Sequence, residues 1–438
     1  MQSRRACLGL AGMAIFLCAR FVLADPPIAA GSYAATPSVE RLEGFWLGLS
    51  LANWTGLITE MDRVEPPFYT DADWGTRDHK NIWGLYVPHS RTIDFYSLAR
   101  GRPWGADDDS DMEYLYLHLM ATHADPLLTA TQIREGWIRH IYSNADAPIP
   151  DGGKERENFL WVSNERALDL MLQGTLPPAT SDPAVNPDCT MIDAQLTTEL
   201  FGLLAPGRPD VAWRLAELPI RTTACADAVD IARFYVTMHA LAATVDTSRP
   251  LGPQLQAIAR TARAGLPDAG YPAKMFDFVR DHYQANPDKT DWESTRDAIY
   301  RRYQLQSHDG YVYRRSFDAG INFAASLVSL FYGDADFRRT LQIGTLAGWD
   351  SDNPTATWGG LLGYLLGKDR LELQFPGQVP SDTYWIHRTR RNFPDHTPGE
   401  PGEDTFRLMA ERMLAVIERV EKMHSGQSAV TATMERRE

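Results

Sequence analysis

Gly348-Trp349-Asp350-Ser351-Asp352-Asn353-Pro354 places two carboxylates and an amide immediately before Thr355 to Leu366, an apolar stretch with helical character. A second run, Trp104-Gly105-Ala106-Asp107-Asp108-Asp109-Ser110-Asp111-Met112, leads in the same way into Met112, Leu115, Tyr116 and Leu119 at helical spacing. Each acidic cluster therefore opens a helix. In the first, Asn353 stands where an N-cap belongs and Pro354 at the first helical position. Capping explains one carboxylate per helix, because a single side-chain oxygen satisfies the free N–H groups and complements the helix dipole. Three consecutive aspartates in one cluster and two in the other would repel strongly if brought together in a poorly solvated pocket, and a divalent cation relieves that repulsion. Solvated caps and a cation cage both fit the spacing. The donors are hard oxygens with no histidine among them, which favours Mg²⁺ or Mn²⁺ over zinc. Gly359, Gly360, Gly363 and Gly367 follow inside the Leu-rich helix, where glycine more often permits close helix packing than phosphate binding.

Outward from these clusters, helical patterning dominates. It covers Val39 to Leu57, Leu160 to Leu172, Ala194 to Leu204, Val211 to Leu218 and Ala224 to Ala243, and continues through Leu255 to Ala264, Met275 to Tyr283, Ile321 to Phe331, Phe337 to Leu346 and Phe406 to Met423. Residues 65 to 105 are rich in Pro, Gly, Trp and Tyr without a helical period and read as a long ordered loop over the site. Tyr311-Val312-Tyr313 is the single short strand candidate. The fold class is all-α. With no repeat of solenoid period and no charged or Pro/Ser-rich linker, one domain over residues 39–424 is expected, after a leader at 25–38 and before a polar tail at 425–438 that reads as frayed.

The 438 residues are 44% apolar, enough for a large core, and carry a net charge of −14. That charge, with no Lys/Arg run, argues against nucleic acid or an anionic membrane as partner. Arg4 and Arg5, the apolar stretch Ala6 to Cys18 and the spacing of Val22 and Ala24 read as a secretory signal peptide over 1–24, so the expected product is soluble and exported, periplasmic or secreted; a retained anchor is the alternative. Cleavage removes Cys7 and Cys18 and leaves Cys189 and Cys225, either a disulfide or two buried thiols.

The chain resembles the ADP-ribosylglycohydrolase family, of the dinitrogenase-reductase-activating glycohydrolase type. The family's first-helix pattern Gly-Asp-Ala-Leu-Gly-Ala-Pro-x-Glu is matched in part by Ala52-Asn53-Trp54-Thr55-Gly56-Leu57-Ile58-Thr59-Glu60. Its Thr-Asp-Asp-Thr-x-Met element lines up with Asp107 to Met112, and its Gly-Gly-Asp-Thr-Asp-Thr element with Gly348 to Asn353. Asn53 stands in place of an aspartate, and Asp107 and Asn353 in place of hydroxyl residues. The resemblance implies a compact orthogonal multi-helix domain holding two divalent cations, Mg²⁺ first and Mn²⁺ second. It makes Asp108, Asp109, Asp350 and Asp352 metal ligands, with Asp107 and Asn353 at the remaining ligand positions and Glu60 as an acidic site residue.

The implied chemistry is hydrolysis of an N- or O-glycosidic bond at the anomeric carbon of an ADP-ribosyl or related ribosyl substrate, small or protein-linked, with Glu60 as general acid or base. Without the resemblance Glu60 reads as a surface carboxylate at a helix end. Asn53, Ser110, Asp193 and Trp349 complete a candidate substrate-binding set; Gln195 and Glu199 are weaker candidates that a solvated helix face explains equally well. Trp46, Trp54, Trp74, Trp83 and Trp104 lie near the same motifs, where aromatic platforms suit sugars or adenine and core packing is the plainer account. Two other functions fit the same residues: an exported glycosidase acting on another sugar or nucleoside, and a catalytically silent metal- or sugar-binding protein.

Overall fold

Residues 44–52 carry no charge and apolar side chains on every face, so this part of the helix they form must be enclosed on all sides. In the computed structural model, which describes residues 34–148, 156–397 and 403–435, this helix is α1 (Val39–Gly56), capped by the Ser38 hydroxyl accepting from the Arg41 N–H at 3.3 Å. The signal-peptide reading, cleavage after Ala24 and most of the leader lie outside the described residues. The chain then forms α2 (Asp108–Thr122), α3 (Ala130–His140), α4 (Val162–Leu172), α5 (Asp193–Leu196), α6 (Leu200–Leu203), α7 (Pro209–Thr223) and α8 (Asp227–Ala242). Next come α9 (Leu251–Ala264), α10 (Tyr271–Ala285), α11 (Glu293–Ile299), α12 (Ala319–Gly333), α13 (Phe337–Leu346), α14 (Asp352–Leu366), α15 (Lys368–Glu372) and α16 (Phe406–Glu435). The molecule is all-α, and its buried apolar side chains form one continuous core from Leu42 to Val420.

The centre of that core is the crossing of α1 and α14. A Cβ on Gly363 would lie 2.1 Å from the Gly44 carbonyl oxygen, and one on Gly48 would lie 2.2 Å from that of Gly359. The two backbones touch, which makes packing the role of these glycines. α16 covers the other side of α1, where the Trp46 indole N–H points at the Met413 sulfur at 3.2 Å.

Several elements depart from the sequence reading. Among the described residues one small sheet joins β1 (Trp104–Gly105), β2 (Thr383–Trp385) and β3 (Glu403–Thr405), parallel then antiparallel, with Trp104 opposite Tyr384 and Thr383 opposite Thr405. Tyr311–Tyr313 is not a strand; Tyr311 instead packs its ring on Tyr271 and donates to Asp318. Ala194 to Leu204 divides into the two short helices α5 and α6. α16 runs to Glu435, through most of the stretch expected to fray. α14 begins at Asp352 with Ser351 as its N-cap, so Asn353 and Pro354 sit inside the first turn and Asn353 is freed for another role. Cys189 and Cys225 form a disulfide, their Cα atoms 5.2 Å apart, that ties the approach to α5 to the start of α8. Among the described residues no helix is long and apolar enough to cross a membrane.

Candidate active site

The site begins where α1 ends. Beyond Gly56 the chain turns through Leu57 to Asp62, and this turn is laced to the one that precedes α14. The Met61 N–H donates to the Trp349 carbonyl and the Trp349 N–H to the Arg63 carbonyl, both at 2.9 Å. Ser351 donates from its hydroxyl to the Gly56 carbonyl at 3.0 Å, and Thr59 bonds to both Ser351 and the Thr345 carbonyl. Met61 and Trp349 are each held at φ 57°, a left-handed conformation costly for residues with a Cβ and retained only where surrounding contacts impose it. This double turn brings Glu60 beside Asp350 and Asp352, each offering one carboxylate oxygen, all within 4.8 Å of one another.

The start of α2 supplies the facing wall. Asp107, Asp108 and Asp109 line the same cavity of about 500 Å³ with Glu60, Asp350 and Asp352. A capping box formed by Asp107 and Ser110 starts this helix. One turn further in, Asp111 forms a fully buried ion pair with Arg390 at 3.0 Å that anchors the helix start from behind. Glu60 and Asp108 keep part of their surface open to the cavity; the other four carboxyls are buried.

Asp109 is held from two sides. Asn53 donates to one of its oxygens at 2.8 Å and Asn353 to the other at 3.1 Å, while Gln195 donates to the Asn353 carbonyl oxygen at 2.7 Å. Asn53 and Asn353 therefore orient a carboxylate; neither is among the residues lining the cavity. Gln195 and Glu199 are buried in the same layer, with Thr357 donating to Glu199, and do not form a solvated face. Asp193 does line the cavity, accepting from the Asn164 N–H at 3.1 Å.

Two placements depart from the sequence reading of substrate contacts. The Ser110 hydroxyl is engaged with the Tyr384 hydroxyl at 2.8 Å, away from the cavity lining. Trp349 is fully buried, donates to Gln304 at 2.7 Å and packs on Phe68, so its indole braces the turn before α14. Trp46 and Trp104 belong to the core, Trp54 stacks on Tyr96 and Trp74 packs on Phe95. Of the tryptophans near the motifs, Trp83 lines the cavity, and it stacks on Trp161, a residue for which the sequence offered no signal because its position depends on where two distant segments meet.

Burial, reinforced by the neighbouring carboxylates, raises Glu60, Asp108 and Asp352 well above the ordinary carboxylate range. Burial and the adjacent Asp107 push Asp109 up to about 8, and burial pushes Asp350 up to about 7. These groups are costly to ionise together without a compensating cation. One oxygen each of Asp107, Asp352 and Asp193 is buried without a hydrogen-bond partner, a cost that coordination would remove. The all-oxygen donor set suits a hard divalent ion, so the residues present fit the group.

The family model described as ADP-ribosylglycohydrolase matches residues 35–416. The chain belongs to the ADP-ribosylglycohydrolase family. A solved structure described as an ADP-ribosylglycohydrolase-related protein complex shares 14% identity with it over 87% of this chain and 98% of that one, with a TM-score of 0.48. A comparison with curated proteins finds no match. Membership of the ADP-ribosylglycohydrolase family makes glycohydrolysis the class of chemistry to set against this cavity.

Proposed function

We propose that the chain is an exported, metal-dependent hydrolase that cleaves the N- or O-glycosidic bond of an ADP-ribosyl or related ribosyl substrate. The observation that carries this reading is the convergence of Glu60, Asp350 and Asp352 with Asp107, Asp108 and Asp109 around one cavity, with buried carboxylate oxygens left unpartnered. These six residues would hold two divalent cations, Mg²⁺ or Mn²⁺, which when bound supply Lewis acidity and a template for sugar hydroxyls and water.

The chain's own residues divide the remaining work. Asn53 and Asn353, backed by Gln195, fix both oxygens of Asp109 so that the α2 wall holds its shape. Glu60 keeps an open face to the cavity, and its raised affinity for a proton suits a group that exchanges one with the leaving atom or with water. Its closeness to Asp350 and Asp352 gives the same carboxyl a share in cation binding. Leu57, Leu85, Ile192 and Phe317 form an apolar wall that limits bulk water near the reacting bond.

The test is a turnover screen of the mature protein with Mg²⁺ or Mn²⁺, and with chelator, against ADP-ribosylated arginine, ADP-ribosylated serine and simple ribosides. Turnover that needs metal and disappears in Asp352→Asn is expected. Failure to hydrolyse any glycoside while binding metal stoichiometrically would replace this reading with that of a silent binding protein.

A further inference from the structure

The segment from β2 to Arg390 lays three polar side chains against the start of α2. The Tyr384 and Ser110 hydroxyls bond at 2.8 Å, Arg390 pairs with Asp111 at 3.0 Å, and Arg388 donates to the Ala106 carbonyl at 2.8 Å. Tyr384 and Arg390 are fully buried braces. Arg388 differs from both. It keeps part of its surface open, and among the described residues it forms no ion pair and meets no acceptor beyond that one carbonyl. In a chain with 57 Asp and Glu residues against 43 Lys and Arg, a guanidinium without a carboxylate partner, so close to a cavity lined by carboxyls, calls for a reason.

Its surroundings show why it does not fold onto the nearest acid. The guanidinium carbon lies over the Trp54 ring and over the Phe159 ring, 5.2 Å from each centroid. These contacts hold the group in place without neutralising it, and a carbonyl partner leaves its positive charge intact. Phe159 lines the cavity, and Ala106 immediately precedes Asp107, which lines it as well. Arg388 therefore stands at the rim, one residue out from the carboxylate wall. Further out, in a groove on the outer face of Trp83 and Trp161, Arg166 donates to the Val185 carbonyl at 2.7 Å and likewise keeps its charge.

We infer that Arg388 takes the phosphate-bearing arm of the substrate, its guanidinium meeting a diphosphate oxygen at the rim while the ribose sits on the carboxylate floor. This rests on the ADP-ribosyl reading above and deepens it with a specificity-determining residue. The 5′-phosphate of a ribosyl group hangs one carbon beyond the ring, so the anion must lie beside the wall that holds the sugar. A cation placed next to Ala106 is suited to that position, whereas the buried, paired Arg390 is not. Guanidinium N–H groups match phosphate oxygens in geometry, and such charge-assisted contacts are about twice as strong as neutral ones.

The experiment measures ADP-ribose binding, with ribose as the phosphate-free control, by titration calorimetry at matched free Mg²⁺ in the wild type, Arg388→Gln and Arg388→Lys. The wild type should bind ADP-ribose more tightly than ribose, with the gap shrinking as salt rises. Arg388→Gln should lose on the order of tenfold in ADP-ribose affinity and nothing in ribose affinity. Arg388→Lys keeps the charge without the planar fork and should lie between, again against ADP-ribose alone; it carries the test if Arg388→Gln does not fold. On an ADP-ribosylated peptide the loss should fall on KM rather than kcat, because the contact is made alike in ground and transition states. The rise in melting temperature on adding Mg²⁺ should persist in both variants. Equal loss for both ligands, or loss of the Mg²⁺-induced rise, would make Arg388 one more brace and overturn the inference, as would ADP-ribose affinity indifferent to both substitutions. Turnover of an unphosphorylated riboside by a wild type that binds ADP-ribose no better than ribose overturns it and leaves the glycosidic reading standing; no binding and no turnover of any glycoside overturns both.

Discussion

Gly56→Ala tests whether the seam between α1 and α14 also shapes the metal cage. A Cβ at this position would sit 2.4 Å from the Asp352 Cα and 2.9 Å from the Ser351 carbonyl oxygen. Both neighbours are backbone and cannot rotate aside, and 2.4 Å falls about 1 Å short of ordinary van der Waals contact at 3.4–4 Å. Overpacking of this kind costs about 1–3 kcal/mol, against a gain of up to about 1 kcal/mol from replacing glycine in a helix. The net expectation is a loss of roughly 1–2 kcal/mol in urea denaturation. Relief of the clash would shift the start of α14, which carries Asp352, relative to Glu60. A misplacement of about 1 Å in such a constellation costs on the order of 10²-fold in catalytic function, and metal affinity measured by titration calorimetry should fall as well. A variant with unchanged denaturation midpoint and unchanged Mg²⁺ or Mn²⁺ affinity would refute the claim that backbone contact along this seam positions the carboxylates.

Other measurements probe separate parts of the molecule. Mg²⁺ or Mn²⁺ should raise the melting temperature through binding to the native state alone, and Asp350→Ala with Asp352→Ala should abolish the rise; a rise of the same size in the double variant would reduce the clusters to helix caps. Replacing Cys189 and Cys225 together by serine opens a loop of sequence separation 36 and should cost about 3–4 kcal/mol in equilibrium unfolding, with no loss speaking against a bridge. His239 is fully buried, and burial lowers its pKa to about 4, so the folded state binds fewer protons than the unfolded chain. Its contribution is present above the unfolded pKa of about 6.5 and is lost as pH falls towards 4; the stability gap between the wild type and His239→Leu should narrow by up to about 1.4 kcal/mol per pH unit in that window, and a constant gap would contradict the assignment.

Long helices with continuous apolar faces, such as α12 and α8, were legible in the sequence because burial alone dictates their pattern. α3 was not: it buries only Ile133, Gly136, Trp137 and His140, too few for the period to stand out. The strands were hidden by length, since two or three residues cannot display an alternation. At the site, the acidic residues announced themselves by crowding, whereas Glu60 was reached only through its family likeness. The layer behind them could not be read. Asn353 looks like a cap and proves to hold Asp109, and Trp349 looks like a ligand platform and proves to brace a turn, because each role depends on which distant segment lies against it.

The glycine seam has a consequence for how this protein can change over generations. Where backbone lies against backbone, as at Gly44 and Gly363, even a methyl group is excluded, so these positions tolerate almost no exchange and drift at the hub is closed off. Trp83 and Trp161, on loops outside the seam, bear no such restriction. New preferences can therefore arise by swapping rim side chains while the hub stays fixed, and a library confined to the rim should yield altered selectivity at little risk to folding.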